Sequence, residues 1–162
     1  MTQLSQSVTL EFDNDVALIR IDNPPVNALS HHVRQGLLDG MTQAENSDAT
    51  AIVVICEGRT FIAGADITEF SGPPKPPSLQ EAQDAMENCS KPVIAAVNGM
   101  AVGGGFEICL ASDIIVAADH AEFFLPEMQR GFLPDVGAIQ ILPRKVPYNV
   151  AMELLYTGRR MS

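Results

Sequence analysis

Gly99-Met100-Ala101-Val102-Gly103-Gly104-Gly105-Phe106-Glu107 is the stretch on which the reading of the fold turns. An apolar run rich in β-branched residues, Val93 to Val97, leads into it, and a second apolar run, Phe106 to Ala111, leaves it. Three glycines in a row let a backbone come close to another group, because no Cβ stands in the way. A helix beginning there would point free N–H groups and the positive end of its dipole at whatever lies in front. Glu107 sets a carboxylate beside that donor-rich point. Anion stabilisation next to an acid/base residue is therefore the chemistry to look for in the rest of the chain. Taken alone, the cluster reads equally well as a tight packing turn.

Working outward, Ala51 to Cys56 is a continuous apolar run of strand length, expected to be covered on both faces, and Val93 to Val97 is a second such run. Phe61-Ile-Ala-Gly-Ala-Asp-Ile67 comes after the first run and a Glu57-Gly-Arg-Thr60 turn. It is another small-Gly-small segment, and Asp66 is placed to cap a helix beginning just after it. Val8 to Phe12 and Val16 to Ile21 read as a hairpin about Asn14-Asp15, ended by Pro24-Pro25. Ser30 is the expected cap of a helix to about Ala44, with Val33, Leu37, Met41 and Ala44 on one face. Gly36 and Gly40 weaken that helix, so packing must hold it. Ser78 caps a helix from Leu79 to Cys89. Asp113 to Ala117 and Ala121 to Phe124 read as strands, and Val136 to Leu142 and Tyr148 to Tyr156 as helices separated by Pro143 and Pro147. Strands alternating with helices give an α/β fold with largely parallel pairing. Pro73-Pro-Lys-Pro-Pro77 is a stiff, solvated linker inside this unit, expected to be mobile or extended.

With 162 residues, 46% of them apolar, the chain has the material for one domain with a real core. A formal charge of −10 argues against general nucleic-acid binding, which needs clustered cations. Cys56, Cys89 and Cys109 are widely spaced and odd in number, as expected of free thiols. His31 and His32 are adjacent and face different ways on a helix, so no metal site is expected from them. The first residues lack the pattern of a secretory signal, and no apolar stretch reaches membrane-spanning length, which gives a cytoplasmic protein as the expectation. Gly158-Arg-Arg-Met-Ser162 looks like the start of a further element, so the sequence is expected to stop short of a complete natural domain.

Phe61 to Ile67, Lys91-Pro-Val-Ile-Ala-Ala-Val-Asn-Gly99, Gly103-Gly-Gly-Phe-Glu107, and Leu125-Pro-Glu-Met128 followed by Gly131 resemble the enoyl-CoA hydratase/isomerase (crotonase) superfamily in order and spacing. The similarity runs from Val8 to Met161. It implies a spiral of repeated β-β-α units over residues 1–162, with the proline-rich loop 72–77 internal. It also implies that this is the N-terminal core, without the C-terminal helical segment that such proteins use over the acyl-CoA site and in trimer packing. An oxyanion hole made of the Ala65 and Gly104 N–H groups would hold the carbonyl oxygen of an acyl-CoA thioester. The loop Ala63, Gly64, Ala65, Asp66, Ile67 would run past the adenine end of CoA. No cofactor is implied beyond the CoA of the substrate, and no membrane or nucleic-acid partner; a trimer or hexamer is expected if the C-terminal segment is present.

These residue types suit the chemistry. Attack at Cβ of a conjugated thioester, or loss of its α-proton, puts negative charge on the carbonyl oxygen, and two fixed N–H donors stabilise it. Glu107 and Glu127 match the family's two glutamates, which in hydratases hold one water between them. By that analogy Glu107 activates the water and Glu127 exchanges the Cα proton. Taken alone, Glu127 after Pro126 reads as exposed. Asp135 stands where many hydratases have a small residue and dienoyl-CoA isomerases carry an acid; its other reading is a helix N-cap. The implied reaction is hydration of a 2-enoyl-CoA. The alternatives are enoyl- or dienoyl-CoA isomerisation, a carnitinyl-CoA dehydratase-like reaction using Asp135, or an inactive acyl-CoA-binding module. Arg59, Lys75 and Lys91 lie near the matched loops as candidate partners for CoA phosphates.

Overall fold

The two apolar runs form neighbouring parallel strands, and the sheet grows from them. The computed structural model describes residues 1–162. Its large sheet has the order β1-β2-β3-β4-β6-β8, with β1 at Thr2–Gln3, β2 at Val8–Asp13, β3 at Val16–Ile21, β4 at Ala51–Cys56, β6 at Val93–Val97 and β8 at Ile114–Ala117. Strands β1 to β3 pair antiparallel through the expected hairpin, and β3, β4, β6 and β8 are parallel. Only one face of β4 is fully buried, by Ile52, Val54 and Cys56. Ala51, Val53 and Ile55 are half-buried, so the expectation of two covered faces is corrected. Strand β8 is exposed along its length, with Ile114, Ile115 and Val116 at the sheet edge.

A second sheet holds three strands of three residues each: β5 at Thr60–Ile62, β7 at Met100–Val102 and β9 at Glu122–Phe124, in the order β5-β7-β9 and all parallel. The hairpin pair β2-β3 stays in the large sheet, and from β4 onward each successive strand pair gives its first member to the large sheet and its second to the small one, before a helix returns the chain. The helices are α1 at His31–Glu45, α2 at Leu79–Glu87, α3 at Gly104–Ala111, α4 at Ala138–Lys145 and α5 at Tyr148–Thr157. This is the crotonase-like spiral of β-β-α units.

Several helix ends differ from expectation. Ser30 occupies the N-cap of α1 but its side chain caps nothing; the His31 N–H donates instead to Oε1 of Glu69, 2.7 Å away. Gly36 is where α1 lies directly on β2, since a Cβ there would press into the Val8 side chain at 2.5 Å. Ser78 and Glu81 form a full capping box on α2, which ends two residues before Cys89. Helix α4 starts two residues late, with Gly137 (φ 106°) as N-cap, so Asp135 is not the cap. It also runs through Pro143, which costs a helix one backbone bond. The proline-rich segment is exposed up to Pro76, yet it is fastened: the Arg34 guanidinium donates to the carbonyls of Lys75 and Pro77. The final residues pair Met161 with Phe123 of β9. Cys56 and Cys109 are buried free thiols, and the half-buried Cys89 donates to Glu45. No helix is long and apolar enough to cross a membrane.

Candidate active site

The three short strands run parallel, so their carboxyl ends open on one side, and ligand clefts form at such ends. The segment after β5 is Ala63-Gly-Ala-Asp66, that after β7 is Gly103-Gly104, and that after β9 is Leu125-Pro-Glu127. The Gly103 N–H donates to the Phe124 carbonyl at 3.0 Å and locks the second segment to the third. All three line one cavity of about 940 Å³.

The first segment is set by its neighbour on the other side. Leu29 N–H donates to the Gly64 carbonyl at 2.8 Å. A trans peptide directs its C=O and N–H to opposite sides, so the Ala65 N–H points away from Leu29, and it donates to no acceptor in the chain. Gly64 has φ 93°, and a Cβ on it would lie 3.1 Å from the Val102 carbonyl oxygen.

Each glycine of the triplet has its own reason. Gly103 (φ 53°) packs against the Glu127 carboxylate, where a Cβ would collide with Oε1. Gly104 faces Leu79 and Leu29, whose methyls would stand 2.8 and 3.0 Å from a Cβ. Gly105 lies on the Ile62 carbonyl of β5 with no room for a side chain. The first bond of α3 runs from Glu107 N–H to Gly103 C=O, so the Gly104, Gly105 and Phe106 amides have no helical acceptor.

Glu107 is 3% exposed in the first turn of the wholly buried α3. Its Oε1 accepts from the Val136 and Ala138 amides at 3.0 and 3.1 Å. Burial pushes its carboxyl up to about 7, with the negative charges of Glu127 and Asp135 adding to the effect and the two amides opposing it. Glu127 is 8% exposed, and its Oε2 is buried with no hydrogen-bond partner. Burial raises its carboxyl too, with Asp135 adding and Arg130 pulling it down. Asp135 is exposed and lines the cavity with both glutamates.

The structure thus brings Ala63, Gly64, Ala65, Asp66, Ile67, Gly104, Glu107, Glu127 and Asp135 to one cleft. Asp66 caps the 3₁₀ turn Ile67–Ser71 through the Thr68 N–H. Of the candidate cations, Lys91 is used elsewhere: its Nζ donates to the carbonyls of Ala44 and Ser47. Arg59 lines neither this cleft nor the adjoining cavity, which Lys75 does line. Arg130, three residues past Glu127, is the cation on the cleft wall, and its adjacency to the Leu-Pro-Glu motif was the available signal. Two polar residues that sequence reasoning missed support the site from behind. Asn27 donates to the carbonyls of Glu57 and Thr60 and holds the turn into β5. Gln83 of α2 is fully buried, with Nε2 2.7 Å from where a Cβ on Gly137 would stand, behind the turn whose amides hold Glu107.

The Ala65 amide and the free first-turn amides of α3 thus share one cleft with two buried carboxyls, both raised above the ordinary carboxylate range. The family description "enoyl-CoA hydratase/isomerase" matches residues 11–162, and the chain belongs to that family. It is 46% identical over 148 residues to a peroxisomal bifunctional enzyme of Danio rerio, a match covering 91% of this chain and 21% of that protein. It is 38% identical over 164 residues to a probable enoyl-CoA hydratase of Bacillus subtilis, covering 96% of this chain and 64% of that one. The crystal structure of an enoyl-CoA hydratase from Bacillus anthracis superposes with a TM-score of 0.90 at 32% identity, over 97% of this chain and 65% of the other. The chain therefore spans about a fifth to two thirds of the length of these relatives.

Proposed function

We propose that the protein is a lyase that adds water to a 2-enoyl-CoA thioester. The observation carrying this reading is the convergence of the free Ala65 amide and the α3 amino end on a cleft that also holds Glu107 and Glu127. The thioester oxygen accepts from the Ala65 and Gly104 N–H groups. Water attacks Cβ as its proton passes to the unbonded oxygen of Glu107, whose other oxygen is held by two amides. The π electrons move onto the thioester oxygen as an enolate. Glu127 then protonates Cα as the carbonyl re-forms, giving a 3-hydroxyacyl-CoA. A carboxyl titrating near 7 suits both taking and giving a proton at neutral pH. Only water and protons move, so CoA serves as the handle of the substrate and no redox group is required. The exposed apolar edge formed by β8 suits burial between copies of the chain in a homo-oligomer such as a trimer, which light scattering reads directly.

The test is loss of the enoyl absorbance of crotonyl-CoA on adding the full-length protein. Unchanged absorbance across pH with acyl-CoA still bound would leave a binding module in place of an enzyme. A second reading, double-bond isomerisation, is favoured by one observation: Asp135 stands on the same wall as a third carboxylate. A 3-enoyl- or dienoyl-CoA substrate distinguishes the two.

A further inference from the structure

Arg34 is bonded in a way that its place on a solvent-flanked helix does not explain. It lies in the first turn of α1, outside the cleft that holds Glu107 and Glu127, and with Glu69 it lines the adjoining cavity. Its side chain is only 11% exposed, and its guanidinium reaches four acceptors. Nη1 donates to the Leu29 carbonyl at 2.6 Å and to Oε2 of Glu69 at 2.9 Å. Nε donates to the Pro77 carbonyl at 2.8 Å, and Nη2 to that of Lys75 at 3.0 Å. Three separate segments thus meet on one planar cation.

Two of these contacts bear on Ala65. Leu29 uses its C=O on Arg34 and its N–H on the Gly64 carbonyl, so the cation fixes the residue that orients the Gly64–Ala65 peptide. Glu69 sits in the 3₁₀ turn that leaves Ala65-Asp66, and its two oxygens bind Arg34 and the His31 N–H, tying that turn to the start of α1. The Ala65 loop is therefore held from both sides by one side chain. The contacts to Lys75 and Pro77 hold the approach to α2, whose Leu79 packs beside Gly104. A guanidinium presents five donors in a fixed plane; a lysine ammonium at the same place is a point charge that cannot span the set.

We infer that Arg34, with Glu69, is a positioning pair for the Ala65 amide, acting through Leu29 from outside the cleft that would hold the thioester. The inference rests on the reading of Ala65 and Gly104 as the grip on the thioester oxygen. The test uses the full-length chain as wild type, Arg34→Lys and Glu69→Gln. The probe is an aryl-conjugated acryloyl-CoA, whose absorption band moves to longer wavelength as its carbonyl is polarised. Wild type is expected to red-shift the bound probe. Arg34→Lys is expected to lose most of that shift and about 10²-fold in kcat, with KM changed far less; Glu69→Gln is expected to do the same to a smaller extent. A brace that is structural only would lower the melting temperature and leave the red shift intact. A full red shift in Arg34→Lys, whatever its kcat, overturns the positioning role while leaving the grip standing. Absence of any shift in wild type overturns both. Should Arg34→Lys not fold, the same two outcomes are read from Glu69→Gln.

Discussion

Replacing Glu107 with glutamine tests the environment of the site without any substrate. The glutamine keeps a carbonyl oxygen to accept from the Val136 and Ala138 amides, and it removes the titration. In the fold the carboxyl titrates at about 7, chiefly because it is buried, against an ordinary 4.5. A folded-state value above the unfolded one means that the native state binds the extra proton between these limits. Stability from this group is thus fully present below about pH 4.5 and lost as pH rises through 7. The loss amounts to about 3 kcal/mol overall, of which about 2–3 kcal/mol falls between pH 5 and pH 8. Glu107→Gln escapes it. Urea or thermal unfolding of the full-length protein and the variant, side by side at pH 5 and pH 8, should therefore show the variant gaining about 2–3 kcal/mol on wild type at the higher pH. That is roughly 5–10 °C in Tm for a chain of this size. Enoyl-CoA hydration should be lost in the same variant. A gap between the two proteins that stays constant with pH would refute the reasoning, because the carboxyl would then be titrating as an ordinary solvated glutamate.

Other perturbations separate the parts of the cleft. Gly104→Pro removes one amide donor while proline remains acceptable at the first position of α3, and kcat should fall on the order of 10²–10³-fold relative to Gly104→Ala, which adds the same Cβ beside Leu79 but keeps the N–H. Gly137→Ala forces a side chain onto φ 106° and against Gln83, so the amides of Val136 and Ala138 shift; it should destabilise by roughly 1–3 kcal/mol, and the acid limb of the pH–rate profile should move up as Glu107 loses donors. Asp135→Asn removes a negative charge that raises both glutamates, so that limb should move to lower pH with hydration retained; loss of isomerase turnover alone would favour the second reading. Ser78→Ala breaks the capping box of α2 and should cost about 1 kcal/mol by thermal unfolding, with kcat unchanged.

What could be read from the chain was what announces itself locally. Ala51–Cys56 and Val93–Val97 are long enough to be seen as strands, and Ser78 with Glu81 marks a helix start by its own chemistry. The second strand of each of the three later pairs is three residues long, and Met100–Val102 lies hidden against a glycine cluster, so no sequence repeat betrays the repeated unit. Glu127 reads as exposed until Gly103, distant in sequence, is seen to leave room for its carboxylate. Ser30 does take the N-cap position that its residue type suggests, but its hydroxyl caps no first-turn amide, and the Glu69 carboxylate that holds the His31 amide lies too far along the chain to be foreseen. Asp135 looks like a helix cap because the α4 start is decided elsewhere, by Glu107 drawing the Val136 and Ala138 amides toward itself. The glutamates and both small-residue loops were legible by resemblance; Arg34, Gln83 and Asn27 were not, since their work is done through partners far away in the chain.

The placement of the site follows from the small sheet more than from any single motif. Strands β5, β7 and β9 are too short to be stable alone, and they are ordered by the large sheet to which their preceding strands belong. Because they are parallel, the residues two or three positions past each strand arrive side by side: Ala65 after Ile62, Gly104 after Val102, Glu127 after Phe124. One turn of α3 beyond Gly104 then returns Glu107 to the same point, where its carboxyl is buried by the packing that forms the helix. Donors that attract negative charge and acids reluctant to carry it are thus products of one arrangement.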